Sequence, residues 1–394
     1  MSFPILAAVA LGYTPLIDRQ SRVSATRLTV FPLRPDVQAA DLLSAVAEVW
    51  PDGGGSAVLN VLNEALLTDL LTAEPPTHLM IEVPAFMAAD AALADALLAL
   101  KKRGTALLLK GQPTAALPAG VLACFKSLVL DEADEARPDH CPGLPRLHAG
   151  ADSAAAIAAS FARGAQGVFG WPMSGVFEAP AAVAGAAVKK DIAGDLQVIV
   201  ELMSRVDQGE DIDRLEQTLK RDPSLAFKLL RFLNSAAFGL PVEVSSFRHA
   251  IMLLGYARLK RWLALLLTTA SKDHTMRPIM YAALRRGLVM EELARGLDDA
   301  EMRDELFICG LFSLLDHMLK QPFSALLDAI PMPERVRQAL VDGNGPFQPY
   351  LALVQAIEQA SVHDYRSAAE DLMLGPADIN PCVMRALAKA GQLE

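Results

Sequence analysis

The chain has 394 residues, of which 52% are hydrophobic and 21% are charged, so it is long enough for two or three domains and too apolar to be disordered. The formal net charge is −10, which argues against a dedicated nucleic-acid binder, because such a protein needs cations to neutralise phosphates. No run of apolar residues approaches the roughly 20 that a membrane span needs. The four cysteines form no C-x-x-C pair, so we expect a cytoplasmic protein with reduced thiols.

The N-terminal half alternates short apolar runs with segments of helical periodicity. Strands are predicted at residues 5–10, 27–33, 57–62, 77–83, 105–110, 127–130, 146–149 and 167–170. Helices are predicted at residues 37–49, 90–102 and 151–163. Strands that alternate with helices indicate a parallel sheet, and this many units favour a barrel. Because this half is shorter than the about 250 residues of a complete (β/α)8 barrel, we expect missing or shortened elements.

The C-terminal half shows helical periodicity throughout and is predicted to be all-α. Its clearest stretch is residues 215–270, where Asp222-Pro223 is a helix start signal and Gly255 is expected to break a later helix. Further helices are predicted at residues 192–206, 276–295 and 304–319. A change in composition after an Ala-rich stretch places the boundary near residue 188, which gives domains 1–188 and 189–394.

Two motifs in this half carry a family resemblance. The segments DPSLAFKLLRFLNSAAFG and SSFRHAIMLLGYARLKRWLALL resemble the opening of an HDOD domain, and the likeness extends over about residues 190–390. HDOD domains are all-α relatives of the HD phosphohydrolases that usually lack the metal ligands and are associated with bacterial signalling. The His-Asp pair of those hydrolases would fall near Asp316-His317, where the order is reversed. The resemblance therefore implies an interaction module.

The first half, over about residues 5–185, weakly resembles an EAL domain, the barrel that hydrolyses cyclic di-GMP with two divalent cations. Asn60 in VLNVLN and Glu82 in LMIEVP match two metal ligands of that family. Arg27 stands where the family has its first glutamate, and Lys110 stands where an Asp pair is expected. A cation at such a site repels metals. We therefore expect Asn60 and Glu82 to be vestigial, with no metal, no cofactor and no enzymatic activity.

These observations predict an incomplete or shortened EAL-like barrel followed by an HDOD helical domain. The expected function is non-catalytic bacterial signal transduction and regulation through protein–protein contacts. Two alternatives stay open: a cyclic di-GMP-binding sensor, and a cyclic di-GMP phosphodiesterase with unusual ligands. The expected partners are signalling proteins, with no nucleic acid, and self-association is left open.

The predicted interaction surface consists of charged positions that flank an apolar helical core. These positions are Lys228, Arg231, Arg258 and Arg261. A charged rim of this kind sets specificity and encounter rate. The simpler interpretation is that these residues form the solvated face of amphipathic helices.

Overall fold

The computed structural model describes residues 3–35, 37–50, 56–73, 75–76, 78–173, 194–219, 247–269, 274–297, 299–326 and 332–393. The predicted boundary near residue 188 lies outside these ranges. The chain forms two compact units, one of residues 1–174 and 352–388, the other of residues 175–351 and 389–394. No helix of the described residues is long and apolar enough to cross a membrane.

The first unit contains a closed barrel of eight strands in sequence order. The strands are β1 Val9–Asp18, β2 Val23–Pro32, β3 Ala57–Val61, β4 Leu79–Pro84, β5 Ala106–Lys110, β6 Phe125–Leu130, β7 Arg146–Ala151 and β8 Gly167–Gly170. β1 is antiparallel to both of its neighbours, and the remaining pairs are parallel. The parallel sheet predicted from the sequence is thus found from β2 to β8, and β1 departs from it. The reversal comes from a tight turn in which Asp18 Oδ1 accepts hydrogen bonds from the backbone N–H groups of Gln20 and Arg22, at 2.8 Å each.

Helices cover the outer wall of the barrel between its parallel strands. They are α1 Ala39–Val49, α2 Glu64–Thr72, α3 Ala85–Ala88, α4 Ala94–Arg103, α5 Ala119–Leu122, α6 Glu132–Glu135 and α7 Ala154–Ala162. α3, α5 and α6 are four residues long, so the expected shortening affects the helices while all eight strands are present. The predicted fold class, an EAL-like barrel followed by a helical region, is confirmed.

The barrel interior is filled by side chains from every strand. The buried cluster consists of Leu16, Ala25, Val58, Leu108, Val129, Leu147 and Phe169, with Met80 and Ala149 packed against it. Because all eight strands contribute, this cluster can only lie inside the barrel. It therefore identifies the inward-facing side of each strand, and the residues two positions further along share that side.

The second unit has no strand among its described residues. Its helices are α8 Gly194–Asp207, α9 Ile212–Leu219, α10 Phe247–Thr269, α11 Arg277–Leu293, α12 Ala300–Phe312, α13 Leu315–Leu319, α14 Phe323–Leu326 and α15 Glu334–Leu340. The last three helices of the chain lie wholly or mainly in the first unit, and they are α16 Gln348–Glu358, α17 Val362–Asp371 and α18 Pro376–Leu393. α11 and α12 approach so closely that a Cβ on Gly310 would lie 2.6 Å from the backbone of Arg286. Gly255 breaks α10 with φ 71° and ψ 171°, as predicted.

Candidate functional site

Four polar side chains lie inside the barrel next to the apolar cluster, on the side of the carboxyl ends of the parallel strands. They are Arg27 of β2, Asn60 of β3, Glu82 of β4 and Lys110 of β5, and together we call them the charged layer. Each follows an inward-facing residue of the apolar cluster by two positions, so alternation along the strands turns all four inward. The resemblance to the EAL family singles out each of these four positions in the sequence.

An ion pair between Arg27 and Glu82 forms the centre of the charged layer. Arg27 Nη2 lies 2.5 Å from Glu82 Oε2, and the Glu82 side chain is fully buried. The guanidinium also stacks over the ring of Phe169, 5.1 Å from its centroid. A buried carboxylate needs a bound cation to offset the loss of its hydration. Arg27 therefore neutralises Glu82.

Lys110 makes the second polar contact of the layer. Its Nζ donates a hydrogen bond to Asn60 Oδ1 at 2.8 Å, and Asn60 Nδ2 donates to Thr29 Oγ1 at 3.2 Å. Burial lowers the pKa of the Lys110 ammonium, the Glu82 charge opposes this shift, and the Arg27 charge adds to it. Thr29 shows no motif in the sequence, and the one signal for its role is its alternation with Arg27 on β2, which places it on the inner face.

The donor set of the charged layer does not fit two divalent cations. The Glu82 carboxylate is held by one cation and the Asn60 carbonyl oxygen by another. Within the described ranges, no group of three or more His, Cys, Asp or Glu side chains could hold a metal ion. Two cations beside one carboxylate carry an excess positive charge, which suits an anionic ligand rather than a metal.

The HD-type position of the helical region holds a buried aspartate. Asp316 is 1% exposed, and its Oδ1 accepts a hydrogen bond from the backbone N–H of His317 at 2.8 Å. His317 Nε2 lies 4.0 Å from Asp316 Oδ2. Asp316 thus lies in the first turn of the short helix α13, which begins at Leu315.

The four residues of the predicted interaction surface fall into three groups. Lys228 and Arg231 lie outside the described residues. Arg261 is half-buried: it bonds both carboxylate oxygens of Glu291 at 2.8 and 2.6 Å, and its guanidinium stacks 3.9 Å from the ring centroid of Phe307. Arg258 is exposed on α10. The surface role of these residues stays a prediction, and Arg261 has a packing role that the sequence did not indicate.

Arg258 differs from the other basic residues of α10. Arg248 pairs with Asp213 and Lys260 pairs with Asp207. Arg258 forms no ion pair with any described residue. Its charge is therefore available at the surface.

Comparison with known proteins identifies residues 195–319 as an HDOD domain, which confirms that resemblance. The chain is 29% identical over 164 residues to the cyclic di-GMP phosphodiesterase CdgJ of Vibrio cholerae, over 41% of this chain and 38% of that protein. It is 30% identical over 172 residues to the uncharacterized protein YuxH of Bacillus subtilis, over 43% of this chain and 42% of that protein. The chain thus spans about two fifths of the length of these relatives.

Solved structures similar to this chain include EAL domains. The EAL domain of Mycobacterium smegmatis DcpA is 18% identical, with a TM-score of 0.31 over 41% of this chain and 90% of that one. A standalone EAL protein of Vibrio cholerae in its c-di-GMP-bound form is 13% identical, with a TM-score of 0.31 over 42% of this chain and 91% of that one. At these scores the likeness carries no argument about activity.

The expectation that the chain is not an enzyme is corrected by these comparisons. It rested on Arg27 and Lys110 in place of acidic metal ligands. A relative with 29% identity is named a cyclic di-GMP phosphodiesterase. The loss of two acidic positions therefore does not exclude the chain from an enzyme family.

Proposed function

We propose that this protein is a regulatory component of cyclic di-GMP signalling that acts by binding other proteins through its HDOD domain. The HDOD match and the relative named for cyclic di-GMP support the signalling context. Protein binding is supported by a surface feature of α10 inside the matched region.

That feature is a group of exposed side chains around the break at Gly255. Met252 is 64% exposed and Tyr256 is 37% exposed, and the exposed Arg258 follows them. Tyr256 is oriented by its hydroxyl, which donates to the carbonyl of Glu210 at 3.0 Å. Met, Tyr and Arg are the residue types enriched at protein interfaces. An exposed cation and two exposed apolar side chains on one helix fit a partner surface that offers both carboxylates and apolar groups.

Affinity capture from the native cell tests this function. The full chain and the Arg258→Glu variant are used as bait, and the bound proteins are quantified by mass spectrometry. We expect the variant to lose a partner that the native chain retains, because charge reversal replaces attraction by repulsion. Arg366→Glu, at an exposed arginine of α17, is the matched control and should retain the partner. Equal capture by the native chain and Arg258→Glu contradicts the proposal.

A second candidate function is that the barrel binds cyclic di-GMP, either as a sensor or as an enzyme that hydrolyses it. The observation in its favour is the excess positive charge of the layer formed by Arg27, Glu82 and Lys110. Calorimetric titration with cyclic di-GMP, with and without Mn²⁺, measures binding, and chromatography of the incubated nucleotide measures turnover. Saturable binding that leaves the nucleotide intact supports a sensor. Turnover that is lost in Glu82→Gln supports a phosphodiesterase.

A further inference from the structure

The chain returns to the barrel after its helical region. Residues 352–388 belong to the same compact unit as residues 1–174. Asn380 of α18 is fully buried, and its Nδ2 donates to the carbonyl oxygens of Leu6 and Val9 at 2.7 Å each. A buried amide that bonds two backbone carbonyls fixes both chain segments. The C-terminal segment is therefore an integral part of the barrel unit.

The end of α16 and the turn that follows it, residues 357–361, contact the barrel directly; we call this stretch the corner segment. The indole N–H of Trp171 donates to the carbonyl oxygen of Glu358 at 2.9 Å. The hydroxyl of Tyr13 lies 3.5 Å from Glu358 Oε1, and the rings of Tyr13 and Trp171 meet edge to face at 5.7 Å. All three residues are buried. The corner segment is thus held between the first strand and the residue that follows the last strand.

The contact of Gly12 with the corner segment is tight. A Cβ on Gly12 would lie 2.9 Å from both the Cβ of Ala360 and the carbonyl oxygen of Ile357. Gly12 is four residues before Leu16, an inward-facing member of the apolar cluster, and the register of β1 is regular between them. Side chains on one side of a strand recur every second residue, so the corner segment meets the inner face of β1.

The end of the barrel at which this contact occurs follows from strand direction. β1 runs antiparallel to β8, so the start of β1 lies beside the carboxyl end of β8. Trp171 comes directly after β8 and shares the inward side of Phe169, over which the Arg27 guanidinium stacks. The corner segment therefore lies at the carboxyl-end opening of the barrel, on the side from which the charged layer is reached.

We propose that the corner segment is a cover that controls the access of solvent and small anions to the charged layer. Ala360 adopts a left-handed conformation with φ 52°, which costs free energy for a residue with a Cβ. This conformation belongs to the turn itself, where the N–H of Ser361 donates to the carbonyl oxygen of Ala356 at 3.2 Å. Closure is favoured by the contacts of Tyr13 and Trp171. The chain reaches the corner segment from the helical region, so an event there can shift the equilibrium between covered and open forms. This regulation is separate from what the HDOD domain binds.

Acetylation of the Lys110 amine by an N-hydroxysuccinimide ester tests the cover in the full chain. The acetylation rate of Lys110 is measured by peptide mass spectrometry, and the exposed Lys126 of β6 serves as an internal reference. Gly12→Ala places a methyl group against the backbone of the corner segment and should displace it. Gly120→Ala, where a Cβ meets nothing within 4 Å, is the matched control. We expect Gly12→Ala to raise the Lys110 rate several-fold and Gly120→Ala to leave it unchanged.

A second, milder variant distinguishes release of the corner segment from misfolding of the chain. Trp171→Phe removes the hydrogen bond to Glu358 and keeps an aromatic ring, so it should also raise the Lys110 rate. Amide hydrogen exchange of β5 is measured in parallel. If Lys110 is acetylated in both variants at the same rate as in the native chain, the proposal is overturned. A faster Lys110 rate that is accompanied by faster exchange throughout β5 reports opening of the barrel wall and overturns it as well.

Discussion

The guanidinium of Arg27 lies 2.5 Å from the fully buried carboxylate of Glu82, and the two residues are 55 positions apart in the chain. This contact joins β2 to β4 across the barrel interior. It also occupies one oxygen of the carboxylate that the EAL resemblance marks as a metal ligand. Loss of this contact is expected to lower the stability of the barrel.

Arg27→Met should destabilise the barrel by about 3–5 kcal/mol, because it leaves the Glu82 carboxylate buried without a cation. The double variant Arg27→Met/Glu82→Gln should recover much of this loss, since neither charge is then buried. Urea unfolding of the full chain measures both. Arg22→Met is the matched control: its pair with Asp18 is exposed, with the arginine side chain 62% accessible, so it should cost less than about 1 kcal/mol. Equal losses for Arg27→Met and Arg22→Met contradict the prediction.

Asn380→Ala should destabilise the barrel unit by about 2–4 kcal/mol, because it leaves two backbone carbonyls buried without their donor. The same urea titration measures the change. Asn63→Ala removes another asparagine side-chain hydrogen bond, the cap that Leu66 N–H donates to at the start of α2. That loss should be about 1 kcal/mol. A smaller effect for Asn380→Ala than for Asn63→Ala is the contrary result.

The sequence predicted those features that depend on local pattern. The break at Gly255 followed from a glycine inside a helical stripe, and β2 to β8 followed from apolar runs between helical segments. The strand predicted at residues 5–10 was wrong: a 3-10 helix occupies Pro4–Ala7, and β1 begins at Val9. Long-range partners could not be predicted in this way. Arg261 looked like a surface cation because its acceptors Glu291 and Asp304 lie 30 and 43 positions away on other helices. The reversal at β1 depended on hydrogen bonds of the Asp18 side chain, which the strand pattern does not contain.

Stability of the barrel unit should fall as the pH drops below about 6.5, the ordinary pKa of histidine. Burial lowers the pKa of His148, the charge of Glu135 opposes this shift, and those of Arg163 and Arg146 add to it. On acidification the unfolded chain therefore binds a proton before the folded one does, so the stabilising effect is full above that pH and is lost below it. Urea midpoints between pH 7.5 and 5 measure the slope. His148→Gln should flatten it, and His363→Gln, at an exposed histidine, should leave it unchanged.

Arg261→Lys should destabilise the helical unit by about 1–3 kcal/mol although it keeps the charge. Lysine cannot bond both oxygens of Glu291 at once or stack its planar group on Phe307. The loss of helical circular dichroism in urea measures the change. Arg258→Lys, at an exposed position of the same helix, should change stability by less than about 0.5 kcal/mol. If the two variants behave alike, Arg261 has no packing role.

Gly255→Ala isolates the conformational cost of the break in α10. The glycine has φ 71°, a conformation that L side chains rarely adopt, and a Cβ there would meet nothing within 4 Å. Steric crowding by neighbours is therefore excluded, and the expected loss of about 1–2 kcal/mol comes from the backbone alone. Gly296→Ala has equal space and no left-handed φ, so it should be neutral or stabilising by up to about 1 kcal/mol. Urea unfolding followed by helical circular dichroism compares the two variants. An unchanged midpoint in Gly255→Ala would mean that the two halves of α10 can join into one continuous helix, and the exposed group around Met252 and Arg258 would then lose its fixed geometry.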